Sequence, residues 1–197
     1  MKVVFITPMD PFSVGGGAIS AYRFIEPIKS LHRKGKIDDY RIIYLKKSNN
    51  VPVEDADKFL YFPKRRFDKI RTALRLKASP LELHSEKIVK VLTKFNPDVI
   101  IMHFSTLGNL SKLIRRTFKN VKIIQNFDNL EAKTIEQSKN PVKVLADLGI
   151  KVLLKKSEKR CLTSCNLAVF FGNKHAQLVM SFYKTEKPYV TMPLTLG

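Results

Sequence analysis

Seven short apolar runs punctuate the chain, and the stretches between them carry apolar residues at helical spacing. Val3–Thr7, Arg41–Leu45, Phe59–Phe62, Asp98–Met102, Val121–Gln125, Leu167–Phe171 and Tyr189–Met192 read as strands. These runs are continuous rather than alternating, the pattern of strands buried on both faces of a parallel sheet. Between them Ala18–Arg33, Leu81–Phe95, Leu107–Phe118, a long run from Val142 to Leu162, and Asn173–Phe182 read as helices. In the first helix Ile19, Tyr22, Ile25, Ile28 and Leu31 recur at near three-residue spacing and are expected to face inward. The alternation predicts an α/β fold: a Rossmann-like, doubly wound, mainly parallel sheet with helices on both faces. A length of 197 residues suits a single domain over 1–197.

Charge changes the picture. There are 36 Lys+Arg against 17 Asp+Glu, a net +19. Such self-repulsion is tolerated beside an anionic partner: nucleic acid, an anionic membrane surface or a phosphorylated substrate. A merely solvated basic surface is the alternative. The segment Lys64–Lys77 holds seven basic residues and one acid. Phe67, Ile70 and Leu74 share one helical face there, flanked by Arg65, Arg66 and Arg71, as in a helix lying in an anionic membrane interface. The competing reading packs that apolar stripe on the sheet and leaves a solvated basic back. Lys112, Arg115, Arg116, Lys119 and Lys122 form a second basic cluster; Lys151, Lys155, Lys156, Lys159 and Arg160 form a third. No nucleic-acid reader motif accompanies them, so nucleic acid is not the expected partner, although the charge keeps a basic nucleic-acid-binding module as the alternative function.

The N-terminal apolar stretch is too short for a leader peptide, and no run approaches the ~20 apolar residues of a membrane span. Cys161 and Cys165 lie four apart in a helical pattern without other ligands nearby, so core thiols are expected and no metal. A reducing, cytoplasmic setting follows as an expectation.

The chemistry-bearing motif is Gly15-Gly16-Gly17, between the first strand and the first helix. Glycines let the backbone approach a ligand, and the helix start offers unpaired N–H groups and a positive dipole end. The pattern is neither G-x-G-x-x-G nor a P-loop. No acid follows the second strand to hold a ribose; Leu45 is followed by Lys46 and Lys47. A dinucleotide site is therefore weakly supported, and a plain tight turn is the alternative. His103 closes the fourth strand, at the sheet end where ligands bind. Ser105 and Thr106 follow it and are candidates for ligand hydroxyls or for helix caps. Asp128, in the turn after the fifth strand, suits a hydrogen bond to a ligand hydroxyl or a general base. It equally suits an N-cap with Glu131 as the capping-box partner.

Taken in order, these motifs resemble the N-terminal half of a GT-B glycosyltransferase of the large retaining group called family 4. The resemblance rests on Val3-Val4-Phe5-Ile6-Thr7-Pro8 with the three glycines, on Pro97–His103, on Ile123–Glu131, and on Glu158-Lys159-Arg160 followed by Cys165–Phe171. It covers nearly the whole chain. Where many relatives carry His-Asn-x-Glu, this chain has Asp128-Asn129-Leu130-Glu131. The resemblance implies a retaining, metal-independent hexosyltransferase with same-face transfer and no protein nucleophile. It would need no cofactor beyond a nucleotide-sugar donor, bound mostly by a second, C-terminal domain. The chain reaches Met192–Gly197 where the family crosses into that domain, so the donor-binding half is expected on a further segment or a partner chain, and this half is expected to be inactive alone. In this frame Gly15, Gly16 and Gly17 approach the donor, and Asp128 and His103 are the candidate catalytic pair. Ser105, Thr106, Asn129 and Glu131 would bind a glycan or lipid-linked acceptor. The expected location is peripheral, on the cytoplasmic face of the cell membrane.

Overall fold

The computed structural model describes residues 1–47, 55–134 and 141–192. The expected loop at 48–50, most of that at 139–141 and the segment 193–197 lie outside them. Seven strands form one sheet: β1 (Lys2–Thr7), β2 (Asp39–Lys46), β3 (Phe59–Pro63), β4 (Val99–His103), β5 (Lys122–Phe127), β6 (Leu167–Phe170) and β7 (Tyr189–Thr191). Every pairing is parallel, in the order β3-β2-β1-β4-β5-β6-β7. The order reverses beside β1, where Val3 pairs with Tyr40 on one side and Val99 on the other. That reversal opens the crevice in which doubly wound sheets hold ligands. The helices are α1 (Gly16–Arg33), α2 (Asp68–Leu74), α3 (Ser85–Phe95), α4 (Gly108–Thr117), α5 (Glu131–Thr134), α6 (Pro141–Ser164) and α7 (Asn173–Tyr183), with 3-10 turns at Ala56–Lys58, Pro80–His84 and Ser105–Leu107.

Successive side chains of a strand point to opposite faces, so β1 feeds two cores. Val4 and Ile6 join Ile88, Leu110, Cys161 and Val179 from α3, α4, α6 and α7. Val3 and Phe5 join Ala21, Phe24, Ile25 and Ile28 from α1. The two cysteines are buried free thiols of the first core. The inward face of α1 differs from the one its sequence suggests. Ile25 and Ile28 are buried, but Ile19 is 60% exposed, and Tyr22 and Leu31 also face solvent. A three-residue step falls about 60° short of a full turn, so a strict three-residue row drifts around the helix. Ala21, Phe24, Ile25 and Ile28 keep to one side at i, i+3, i+4 and i+7.

Helix α4 meets α6 closely. A Cβ on Gly108 would lie 2.2 Å from the Ser157 carbonyl oxygen. Ser157 Oγ accepts the Gly108 N–H at 2.9 Å and donates to the Ser105 carbonyl at 2.7 Å. Buried Glu82 caps the same helix start, accepting the N–H groups of Asn109 at 2.6 Å and Leu110 at 3.1 Å. Of the second basic cluster, Arg115 is structural: it donates to the carbonyls of Ser164, Lys119 and Val121 and to the Asn166 side chain. Arg160 of the third donates to the Asn109 side chain.

Candidate functional site

A cleft of about 1030 Å³ opens over the carboxyl ends of β1, β4, β5 and β6. Two helix starts border it. Helix α1 begins after Gly15 and α7 after Gly172; neither N-cap makes a side-chain hydrogen bond and neither first turn holds an acid. Both therefore present backbone donors and positive dipole ends. Gly15 has φ 134 and ψ 166, a region essentially reserved for glycine. The loop before it is pinned by buried Asp10, which accepts the N–H of Phe12 at 3.0 Å and of Lys47 at 2.7 Å. Arg23 and Lys174 add side-chain cations to the wall.

The floor is a buried polar chain. Thr7 Oγ1 lies 2.9 Å from His103 Nδ1, His103 Nε2 lies 3.0 Å from Ser20 Oγ, and the Ser20 hydroxyl donates to Asp128 Oδ2 at 2.9 Å. His103 Nε2 is also 3.3 Å from Asp128 Oδ2. Since Ser20 spends its proton on Asp128, the Ser20 oxygen is left to accept from His103 Nε2. Asn126 Nδ2 donates to the other carboxylate oxygen, Oδ1. Burial alone would raise Asp128, but hydrogen bonds from His103, Ser20 and Asn126 and the His103 charge hold it below its ordinary 3.8. It is a carboxylate near neutral pH and a weak base, better suited to accepting a substrate hydroxyl's hydrogen bond than to removing its proton.

The sequence candidates separate. Gly16, Gly17, Asp128 and Asn129 line the cleft together. Gly15 shapes its rim. His103 is fully buried beneath it, with both nitrogens engaged, and positions Asp128 rather than touching a ligand. Ser105 is also buried, donating to Glu158 Oε1 at 3.3 Å, so its hydroxyl faces the core and not a sugar. Thr106 and Glu131 stand outside the lining. Burial and the nearby Asp128 charge raise Glu131, while Asn129 hydrogen-bonds it.

The capping expectations are corrected. Asp128 is held by Ser20, Asn126 and His103, and the start of α5 is capped instead by Glu158 of α6. Glu158 accepts the N–H of Ala132 at 3.3 Å and that of Glu131, together with the Tyr183 hydroxyl. A local carboxylate is unavailable once the cleft has claimed Asp128, so a distant one replaces it. Helix α4 likewise starts without a Ser105 or Thr106 cap; Leu107 precedes it and Glu82 serves its donors.

Several cleft residues gave no local signal. Ser20 sits in an apolar helix pattern. His175 belongs to α7; its Nε2 has no hydrogen-bond partner among the described residues, and burial pulls its pKa below 6.5 against the raising effect of Asp128. Phe104 holds φ 70 and stacks edge-on against His103 with centroids 4.4 Å apart. A bulky residue at positive φ costs about 1–3 kcal/mol, a strain typical of functional loops.

No family model and no curated protein matches the chain. Solved structures do. Sucrose-phosphate synthase from Thermosynechococcus elongatus aligns with TM-score 0.62 at 13% identity, over 98% of this chain and 47% of its own. This is the fold of one half of a GT-B glycosyltransferase. The catalytic domain of starch synthase IV from Arabidopsis thaliana, bound to ADP and acarbose, aligns with TM-score 0.53 at 14% identity, covering 98% of this chain and 51% of that one. The UDP-forming trehalose-phosphate synthase from Burkholderia xenovorans, in complex with glucose-6-phosphate, gives 0.53 at 11%, over 98% and 49%. The GT-B half described here thus spans about half the length of these structures. At such identities the likeness is one of fold.

Proposed function

We propose that this chain is the acceptor-side half of a retaining glycosyltransferase that moves a hexose from a nucleotide-sugar to a glycan or lipid-linked acceptor. The observation that carries the reading is one shared cleft. It brings two uncapped helix starts, suited to phosphate oxygens, together with an ionised carboxylate suited to a sugar hydroxyl. Gly16 and Gly17 would approach the donor phosphates, with Lys174 nearby. Asp128 would orient the acceptor hydroxyl, while Ser20 and His103 hold the carboxylate. The matched glycosyltransferases are about twice as long as this chain, which supports a second domain closing over the cleft and holding most of the donor. With Asp128 given to the acceptor hydroxyl and Ser20 hydrogen-bonded to it, the reading has transfer on one face of the donor sugar without a covalent enzyme intermediate.

The test is sugar transfer from labelled nucleotide-sugars, assayed with this 197-residue chain alone and with a donor-binding domain joined to it. Turnover is expected only in the joined form. Robust turnover by the chain alone would sink the proposal.

A further inference from the structure

Helix α2 is built inside out. Its inward residues are polar: Asp68 is 2% exposed and Thr72 is 7% exposed, one turn apart. Asp68 Oδ2 accepts the Arg65 N–H at 2.7 Å, and the Thr72 hydroxyl donates to the Asp68 carbonyl. Its outward residues are apolar: Phe67 is 62% exposed, Ile70 59% and Leu74 79%, at i, i+3 and i+7 on one face. Leu76, 67% exposed, extends the patch from a left-handed backbone at φ 50. The apolar stripe therefore does not pack on the sheet, which removes the competing reading of this segment.

The charge around the patch has one sign. Lys64, Arg65, Arg66, Arg71 and Arg75 are exposed, and the Arg66 guanidinium lies 5.9 Å from the Phe67 ring centroid. The segment's one acid, Asp68, is turned inward, so the outer surface presents cations and hydrocarbon together. Its position is also defined. Strand β3 ends at Pro63, and the Lys64 N–H bonds the Lys46 carbonyl at the end of β2. All strands run parallel, so α2 leaves the same rim of the sheet that carries the cleft.

We infer that Lys64–Lys77 docks this chain on an anionic lipid bilayer, with Phe67, Ile70, Leu74 and Leu76 in the interface and the surrounding bases on headgroup phosphates. Charge complementarity selects the occupant. Nucleic acid would satisfy the bases but leave four large apolar side chains in water, whereas a bilayer interface satisfies both. Among the described residues no helix is long and apolar enough to cross a membrane, so the contact is a surface one. Docking stands independently of the transferase reading, and its readout is lipid binding, not sugar transfer.

The experiment is flotation of the chain with phosphatidylglycerol vesicles and with phosphatidylcholine vesicles over a salt series. Binding is expected to phosphatidylglycerol, weakening as salt rises. Each neutralised base (Arg65→Gln, Arg66→Gln, Arg71→Gln) should cost about fivefold. The combined variant Phe67→Ser, Ile70→Ser, Leu74→Ser should keep the wild-type thermal unfolding, because these side chains lie outside both cores, and should lose vesicle binding. The chain contains no Trp, so Phe67→Trp supplies a single tryptophan, excited apart from the six tyrosines, whose emission should shift to the blue on phosphatidylglycerol vesicles. The inference is overturned by equal binding to both lipids, by undiminished binding of the triple variant, or by unchanged Trp emission. Tighter binding to duplex DNA than to phosphatidylglycerol at the same salt, or self-association of the wild type that the triple variant abolishes, would overturn it as well.

Discussion

His103 and Asp128 meet at 3.3 Å under the cleft, and only the carboxylate reaches the cleft itself. For the transferase proposed above, that division of labour predicts unequal mutational effects. Asp128→Ala should lower kcat/KM by roughly 10- to 10²-fold, the loss of a hydrogen bond between an acceptor hydroxyl and a charged group. Ser20→Ala removes one of the carboxylate's donors and should cost less, with KM for the acceptor affected more than KM for the donor. Steady-state kinetics on both variants check this; equal losses in the two would contradict the assigned roles.

Acid sensitivity follows from the same carboxylate. The folded pKa of Asp128 is below 3.8, so the unfolded chain binds its proton first as pH falls. Its contribution to stability is present in full above about pH 4 and is lost as pH drops through the folded value. Glu158 runs the other way. Burial lifts it above 4.5 despite bonds from Tyr183, Ala132, Glu131 and Ser105, so its contribution is full below 4.5 and is lost as pH rises through the folded value. Thermal melts from pH 3 to 8 should show Asp128→Asn flattening the acid limb, and Glu158→Gln flattening the decline on the other side. Unchanged profiles in both variants would refute the assignment.

The α4–α6 contact admits no side chain at its closest point. Gly108→Ala drives a Cβ into the Ser157 carbonyl, backbone against backbone, where no rotamer can relieve the clash. Overpacking of this kind costs about 1–3 kcal/mol. The Tm should fall by roughly 2–4 °C per kcal/mol in a domain of this size. Scanning calorimetry would show it; an unaltered Tm would mean that the helices part freely.

At Gly15 the constraint is the backbone itself. An alanine has open space for its Cβ but not the conformation, since φ 134 with ψ 166 is strained for any residue with a side chain. Gly15→Ala should cost about 1–3 kcal/mol. It should also weaken nucleotide-sugar binding, because relief of the strain re-aims the first turn of α1. Gly16→Ala, with open space and ordinary φ, is the control and should leave stability near wild type. Equal effects of the two on thermal melts would falsify the point.

The sheet was legible because burial on both faces demands unbroken apolar runs, and such runs survive in a single sequence. Val3–Thr7 and Asp98–Met102 stand within a residue of the strands they announce. Half of the cleft was legible for a different reason: glycines and a turn aspartate at strand ends are local signals. Ser20, Thr7 and Glu158 were not. Each acts across 25 or more residues of chain on a partner that only the packing of the folded chain brings near. Thr7 and Glu158 stood inside stretches quoted for the resemblance, but nothing local gave their partners; Glu158 is the single acid among Lys155, Lys156, Lys159 and Arg160. A lone acid in a basic helix is worth reading as a buried anchor.

Ser20 stands one helical turn after Gly16, on the same rigid rod. The first turn of α1 and the seat of Asp128 are thus a single mechanical part. In the proposed transferase, the donor phosphate and the acceptor carboxylate would therefore sit at two points of one rod, linked through the Ser20 hydroxyl.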